Sequence, residues 1–226
     1  MTLSVIVTGG FGALGQAVAK AFAGRGDKVA RVDFADKAPS PLEGALDIGG
    51  VDLTNAAAAR EAIEKVDAAH GGIDVLVNIA GGFAWETVGD GSLETWSKMH
   101  DMNVMTNVTI TKLALDLLKQ SAHGRIVNIG AGAAVKADEG MGAYAASKSG
   151  IHRLTEALAE ELRGTAVTVN ALLPSIIDTE ANRKDMPDAD PSDWVTPESI
   201  AQVILFLASP ASGAVTGGLI PVTRNV

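Results

Sequence analysis

The stretch Leu3-Ser4-Val5-Ile6-Val7-Thr8-Gly9-Gly10-Phe11-Gly12-Ala13-Leu14-Gly15 decides the fold. Its first five residues form an almost unbroken apolar run, which is typical of a strand buried on both faces of a parallel sheet. Glycines follow at Gly-x-x-Gly-x-x-Gly spacing, and apolar residues then recur at a helical period until Gly24 and Gly26. The stretch therefore predicts a strand, a glycine-rich turn and a helix in succession.

The same alternation of strand and helix runs to the end of the chain. Further strands are predicted at residues 28–34, 45–48 or 50–53, 73–77, 125–129, 166–172 and 218–222. Further helices are predicted at residues 55–69, 93–119, 143–163 and 197–207, and a surface loop at residues 185–192. This alternation predicts a single α/β domain over residues 1–226, in which helices cover both faces of a doubly wound parallel sheet.

Composition excludes several classes of function. The 226 residues carry a net charge of −9, which argues against binding to a nucleic-acid backbone. The chain has no cysteine, so disulfides and thiolate metal sites are excluded, and its 4 histidines are scattered without ligand spacing, so no metal is expected. No apolar run reaches the length of a membrane span, and residues 1–7 lack a basic leader pattern. We therefore expect a cytoplasmic protein without a membrane partner.

The glycine turn suits a dinucleotide. Between a first strand and a first helix, such a turn lets the backbone approach a pyrophosphate held at the helix N-terminus. The candidate cofactor-binding residues in the turn are Gly9, Gly12, Ala13 and Leu14. Turns also use glycine for purely steric reasons, so the prediction needs support from elsewhere in the chain.

An acidic residue after the second strand gives that support. Asp33 lies about twenty residues beyond the turn, where a carboxylate can accept both hydroxyls of a ribose and would repel a 2′-phosphate. NAD(H) is therefore favoured, while Arg31 on the same strand keeps NADP(H) open. Asp52 and Leu53 are placed to meet an adenine, unless they only form the turn before the next helix.

The stretch Tyr144-Ala145-Ala146-Ser147-Lys148 carries the chemistry. Residues four apart on a helix share one face, so the Tyr144 phenol and the Lys148 ammonium should lie about one turn apart. A fixed ammonium beside a phenol favours the phenolate, so we expect the pKa of Tyr144 to fall from about 10 toward neutrality. Such a tyrosine can act as a general acid or base.

Taken in order, these motifs resemble those of the short-chain dehydrogenase/reductase family over residues 5–222. The resemblance implies a Rossmann fold of about seven strands, in which Tyr144 transfers the proton and Lys148 binds the nicotinamide ribose. It also implies that Asn103 anchors a water in a proton relay. Further residues near the cofactor are implied at Asn78, Ala80 and Gly81, and at Pro174, Ile177 and Thr179.

Two positions depart from the family's pattern. The phosphate turn has Ala13 where the family has glycine, and Ala131 stands thirteen residues before Tyr144, where the family has its catalytic serine. An alanine cannot hold a substrate carbonyl, and a lost hydrogen bond of this kind costs about 1–3 kcal/mol. Asn128 lies three residues earlier on a strand and points to the other face, so we do not expect it to substitute.

Within the family, the turn Gly9–Gly15 and the missing serine resemble the dihydropteridine reductases. This likeness implies NADH-dependent reduction of a quinonoid dihydropterin with Tyr144 as proton donor. Phe83, Trp85 and Trp194 are candidate surfaces for stacking a flat ring, or ordinary packing aromatics. The alternatives are a reductase of a ketone or 3-oxoacyl substrate and, from another class, a non-catalytic sensor of NAD(H).

The resemblance also implies a homodimer or homotetramer. In relatives, the helices that correspond to residues 93–119 and 143–163 form a four-helix interface. The apolar residues available for it are Leu113, Leu117, Ile151, Leu154, Leu158 and Leu162. In a monomer the same residues would pack on the sheet.

Overall fold

A computed structural model describes residues 2–223. These residues form one sheet of seven parallel strands in the order β3-β2-β1-β4-β5-β6-β7. The strands are β1 (Ser4–Thr8), β2 (Lys28–Val32), β3 (Leu46–Ile48), β4 (Val75–Asn78), β5 (Arg125–Ile129), β6 (Thr168–Pro174) and β7 (Leu219–Val222). The predicted α/β fold with a doubly wound parallel sheet of about seven strands is confirmed.

Helices cover both faces of this sheet. They are α1 (Ala13–Gly24), α2 (Ala56–His70), α3 (Leu93–Met99), α4 (Thr106–Gln120), α5 (Gly142–Glu161), α6 (Glu180–Asp185) and α7 (Pro197–Leu207). One core joins α1 and α7 to the sheet around Val5 and Val127, and the other joins α2, α4 and α5 around Ile6 and Ile126. Because β1 and β5 are buried at every residue, the continuous apolar runs of the sequence are explained.

The order of the strands creates a crevice at the carboxyl edge of the sheet. From β1 the chain moves outward to β2 and β3, and then returns to place β4 on the other side of β1. In open parallel sheets, ligands bind at the point where the strand order reverses. The loops after β1 and β4 meet at this point.

Several helix boundaries follow from their capping residues. The Asn55 side chain accepts hydrogen bonds from the backbone N–H groups of Ala57 (2.9 Å) and Ala58 (3.3 Å), so it caps α2. Thr196 caps α7, and Pro197 occupies the first turn, as the sequence predicts.

The structure corrects two details. Residues 93–119 do not form one regular α-helix, because a π-helical segment, His100–Met105, separates α3 from α4. The short helix α6 begins before the predicted loop at residues 185–192.

The apolar residues named for a helix interface fall into two groups. Ile151, Leu158 and Leu162 are buried in the core, as the alternative of packing on the sheet has it, whereas Leu113, Leu117 and Leu154 lie partly buried against it. Association through these helices stays a prediction.

Candidate active site

The glycine turn opens one end of a cavity of about 1210 Å³. Gly9 has a φ of +62°, which L side chains rarely adopt, and a Cβ at position 15 would overlap the Gly9 carbonyl oxygen. Gly12 precedes α1 in an extended conformation, and no side chain caps the helix there. The first N–H groups of α1 are therefore left free to bind an anion.

Most predicted cofactor residues line this cavity. They are Gly9, Gly12, Ala13, Leu14, Asp33, Asp52, Leu53, Ala80, Gly81 and Thr179. A cavity lined by both a helix N-terminus and a strand-end carboxylate fits a dinucleotide, with the pyrophosphate at α1 and a ribose at Asp33.

Asp33 is held by the turn itself. Its carboxylate accepts hydrogen bonds from the backbone N–H groups of Phe11 and Ala35, both at 2.9 Å. Arg31, only 1% exposed, donates from Nε and a terminal nitrogen to the two carboxylate oxygens of Asp47 at 2.6 and 2.7 Å. This pairing holds the Arg31 guanidinium at the Asp47 carboxylate.

Asp52 serves the turn before α2 as well as lining the cavity. Its Oδ1 accepts hydrogen bonds from the Thr54 backbone N–H (2.9 Å) and hydroxyl (2.7 Å). The two alternatives that the sequence left open for Asp52 are therefore compatible.

Thr8 ties the end of β1 to the loop after β4. Its hydroxyl oxygen accepts hydrogen bonds from the backbone N–H groups of Ile79 (3.0 Å) and Ala80 (3.1 Å). A Cβ at the next residue, Gly81, would overlap Asn103 Oδ1 and lie 3.6 Å from Lys148 Nζ. The cavity wall at Gly81 is therefore adjacent to the predicted catalytic residues.

Asn103, in the π-helical segment, positions this loop. Its Oδ1 accepts a hydrogen bond from the Gly82 N–H (2.9 Å), and its Nδ2 donates to the Gly82 carbonyl oxygen (3.1 Å) and Ser147 Oγ (2.9 Å). These bonds connect the loop after β4 to α5. Because the amide is engaged by protein groups, the role of anchoring a water stays a prediction.

The pKa expected for Tyr144 is wrong. Burial raises the pKa of Tyr144 to about 12, because a phenolate at this position would lose most of its hydration. The Lys148 ammonium donates to the Ile129 carbonyl oxygen at 2.9 Å, and burial lowers the pKa of Lys148 to about 8. At neutral pH Tyr144 is thus a neutral phenol, the form that can donate a proton.

Neither Tyr144 nor Lys148 lines the cavity, and three further predicted cofactor residues also lie outside its lining. Asn78 is buried, and its Nδ2 donates to Asn107 Oδ1 (3.2 Å), Thr111 Oγ1 (3.0 Å) and Asn128 Oδ1 (3.0 Å). This network ties β4 to β5 and α4. Pro174 ends β6, and Ile177 pairs with Val195 in a bridge just beyond it.

Ala131 lies in a segment that α5 holds from one side. The side chains of three α5 residues contact the backbone of this segment: Lys148 at the Ile129 carbonyl oxygen (2.9 Å), Ser149 at the Ala134 carbonyl oxygen (3.0 Å), and His152 Nε2 at the Ala131 N–H (3.5 Å). Asn128 donates to Thr155 Oγ1 at 2.9 Å, about three turns along α5 from Tyr144, so its amide is engaged away from the tyrosine.

The three candidate stacking aromatics have different environments. Trp194 is only 4% exposed, which favours the alternative of an ordinary packing aromatic. Phe83 and Trp85 are exposed, and the Phe83 ring meets the Tyr144 ring edge to face with centroids 4.9 Å apart.

Sequence patterns missed part of the cavity wall. Lys98, Asp101, Met102 and Thr106 line it from α3, the π-helical segment and the start of α4. A regular helix was expected there, and no residue type marks a π-helix in advance. Phe11, which donates its N–H to Asp33, could have been found only from the geometry of the turn.

Comparisons with known proteins identify the family. A family model for the short chain dehydrogenases matches residues 4–190. The chain belongs to this family. As a short-chain dehydrogenase it is an oxidoreductase that binds a nicotinamide cofactor.

Its relatives cover nearly the whole chain. A 3-oxoacyl-[acyl-carrier-protein] reductase of Thermotoga maritima is 31% identical over 95% of this chain and 94% of its own. A 2-(S)-hydroxypropyl-CoM dehydrogenase of Xanthobacter autotrophicus is 31% identical over 94% of this chain and 92% of its own. The crystal structure of a 3-ketoacyl-(acyl-carrier-protein) reductase from Brucella melitensis, complexed with NADH, matches with a TM-score of 0.88 and 25% identity, covering 97% of this chain and 96% of its own.

These relatives do not support the expected likeness to dihydropteridine reductases. That resemblance rested on a few short segments, whereas the similarity to 3-oxoacyl reductases extends over almost the full chain. Short turns converge easily because glycine geometry constrains them, so the whole-chain similarity is the stronger argument.

Within residues 2–223, no group of three or more histidine, aspartate or glutamate side chains is arranged to hold a metal ion. No helix in the same part of the chain is both long and apolar enough to cross a membrane.

Proposed function

We propose that this short-chain dehydrogenase is an NADH-dependent reductase of a ketone or 3-oxoacyl substrate, with Tyr144 as the proton donor. The observation that carries the proposal is the neutral Tyr144 phenol on α5, one helical turn before Lys148, whose Nζ lies at the cavity wall formed by Gly81. Relatives named for 3-oxoacyl reduction support the choice of a carbonyl.

Cofactor binding and proton transfer would be carried out by different elements of the site. The N-terminus of α1 binds the pyrophosphate, and Asp33 accepts hydrogen bonds from a ribose. Bound NADH would supply the hydride for the carbonyl carbon. Tyr144 donates its hydroxyl proton to the carbonyl oxygen, and the Lys148 ammonium stabilises the phenolate left behind. Asn103 holds the loop after β4 against α5 through its hydrogen bonds to Gly82 and Ser147.

Two observations favour NADH over NADPH. Asp33 lines the cavity where a 2′-phosphate would be repelled. Arg31, the cation that kept NADP(H) open, is buried and paired with Asp47. Lys37 also lines the cavity, and its positive charge would attract a 2′-phosphate. The preference for NADH is therefore measured as the ratio of the Kd values for NADPH and NADH.

A substitution of Tyr144 tests the proposal. We expect Tyr144→Phe to lower kcat with NADH and a ketone by about 10²–10⁴-fold, because the proton donor is lost. The affinity for NADH, measured by fluorescence titration, should stay within about twofold, since the cavity is unchanged. Wild-type turnover in this variant would refute the role of Tyr144.

Ala131 favours a second candidate substrate. A quinonoid dihydropterin, stacked as a ring, has less need of a serine that holds a carbonyl. Steady-state NADH oxidation with ketones, a 3-oxoacyl thioester and quinonoid dihydropterin separates the candidates, and turnover of dihydropterin alone would select it. Tight binding of NADH without oxidation by any substrate would favour the sensor.

We also infer a homo-oligomer, as is common in the family, and a cytoplasmic location. Met105, in the π-helical segment, is one of the exposed large apolar residues within residues 93–119, which are expected at the interface between subunits. The molar mass measured by light scattering, for the wild type and Met105→Glu, tests whether these helices associate.

A further inference from the structure

Four exposed apolar side chains surround the start of α5, where Tyr144 lies. We call Phe83, Trp85, Val88 and Trp96 the apolar rim; their exposed fractions are 56%, 58%, 77% and 41%. Three of them belong to the irregular segment between β4 and α3, and Trp96 lies on α3. Side chains of this size that remain exposed together mark a binding surface more often than chance placement does.

Contacts hold the rim against α5. Phe83 packs its ring at 78° to that of Tyr144. The Trp85 indole lies directly on Gly140, where a Cβ would overlap the ring, and the Glu86 N–H donates to the Gly140 carbonyl oxygen at 2.8 Å. A Cβ at Gly142 would lie 3.4 Å from Trp96 and 3.8 Å from Val88. The rim is therefore fixed in place while its outer faces stay open.

The charges next to the rim are mostly negative. Residues 83–98 carry the rim, and residues 135–141 include Gly140, on which Trp85 lies. The acidic side chains of these two segments are Glu86, Asp90, Glu94, Asp138 and Glu139, and the basic ones are Lys98 and Lys136. An anionic group would be repelled from the rim at neutral pH. An uncharged apolar group would meet aromatic faces and lose little hydration.

We propose that Phe83 and Trp85 determine substrate specificity by holding an aryl or other flat apolar group beside Tyr144. The preferred substrate is then an uncharged ketone with such a group, rather than a thioester on an anionic carrier. This inference rests on the carbonyl reductase function proposed above and narrows its substrate class.

A matched pair of ketones tests it. Benzylacetone and butanone carry the same methyl ketone and differ by a phenyl group. We expect the ratio of their kcat/KM values to exceed about tenfold in the wild type, and to fall at least tenfold in Phe83→Ala and in Trp85→Ala. Most of the change should appear in KM, and Trp85→Phe should restore part of it because it keeps an aromatic face.

Phe206→Ala is the control. Phe206 is similarly exposed, at 51%, but lies on α7 across the sheet from α5, so this variant should keep the wild-type ratio. An unchanged ratio in both rim variants would overturn the inference. So would a kcat/KM for acetoacetyl-CoA at least tenfold above that for benzylacetone.

Binding separates failure of this inference from failure of the proposed function. If the wild type reduces no carbonyl compound, the reductase function fails, and the rim is then judged by benzylacetone binding alone. Quenching of tryptophan fluorescence that disappears in Trp85→Phe and weakens in Phe83→Ala would support the rim. Absence of quenching in the wild type at millimolar benzylacetone would overturn it.

Discussion

Lys148 shows a conflict between stability and function within one side chain. Its ammonium is buried, and the pKa of about 8 lies below the ordinary value of 10.5. Between these two values the unfolded chain binds more protons than the folded one, so stability rises with pH there. Below pH 8 the full cost of the buried charge is present, at about 3 kcal/mol.

We therefore expect Lys148→Met to stabilise the fold at pH 7 while abolishing turnover. The free energy of unfolding should rise by about 1–2 kcal/mol. This is less than the full cost of the buried charge, because the Ile129 carbonyl oxygen loses its hydrogen-bond donor. Urea denaturation of variant and wild type at pH 7 and 9.5 measures it. The difference should shrink by more than half at pH 9.5, and a difference independent of pH would contradict the assignment.

Ala131 poses the question of what holds the substrate oxygen. If that oxygen has only Tyr144 as a partner, Ala131→Ser should add a hydrogen bond and raise kcat/KM for a ketone about tenfold. NADH affinity should not change, because Ala131 does not line the cavity. An unchanged or lower kcat/KM would show that Tyr144 alone suffices.

Among the secondary-structure elements, His100–Met105 differs most from the prediction, because it is π-helical where the sequence predicts an α-helix. It aims Asn103 at the loop after β4 and at Ser147 on α5. Asn103→Ala should lower the free energy of unfolding by about 1–3 kcal/mol, since the partly buried backbone groups of Gly82 lose their partners. It should also lower kcat/KM at least tenfold, because the loop beside Lys148 loosens.

Asn55→Ala is the matched control for that variant. It removes an N-cap of α2 and should cost about 1 kcal/mol in urea denaturation, with kcat/KM unchanged. If both variants lose activity in proportion to stability, Asn103 has only a structural role.

Elements with strong local signals were predicted well. The bounds of β5 and α7 agree with the sequence because an apolar run and a Thr-Pro cap define them locally. The π-helical segment could not be predicted, because hydrogen-bond register within a helix depends on the packing of α3 against α5. The two alternatives for Trp194 could not be separated in the sequence, because its burial depends on segments distant in sequence.

For the whole molecule, binding of the cofactor should raise the free energy of unfolding and the Tm. At NADH one hundred times above its Kd, unfolding should cost about 2.7 kcal/mol more. For a chain of this size that corresponds to a rise in Tm of about 5–10 °C by calorimetry. The same concentration of NADPH should give a smaller shift, since Asp33 repels the 2′-phosphate.

Asp33→Ser should reverse that order, while Asp116→Ser on the exposed side of α4 should leave both shifts unchanged. Both variants remove one negative charge, so the comparison separates a local contact from the general effect of net charge. Equal shifts with both cofactors in the wild type would contradict the assignment of Asp33.

The fold class, the position of the glycine turn and the placement of Tyr144 and Lys148 on one helix could all be predicted from the amino-acid sequence. These features depend on periodicity and spacing, which are local properties of the chain. The protonation of Tyr144 and Lys148 could not, because the pKa of Tyr144 depends on how much water the surrounding elements exclude. Only the tertiary structure paired Arg31 with Asp47 and left Phe83 and Trp85 exposed beside Tyr144, since contacts between distant segments set burial and charge pairing.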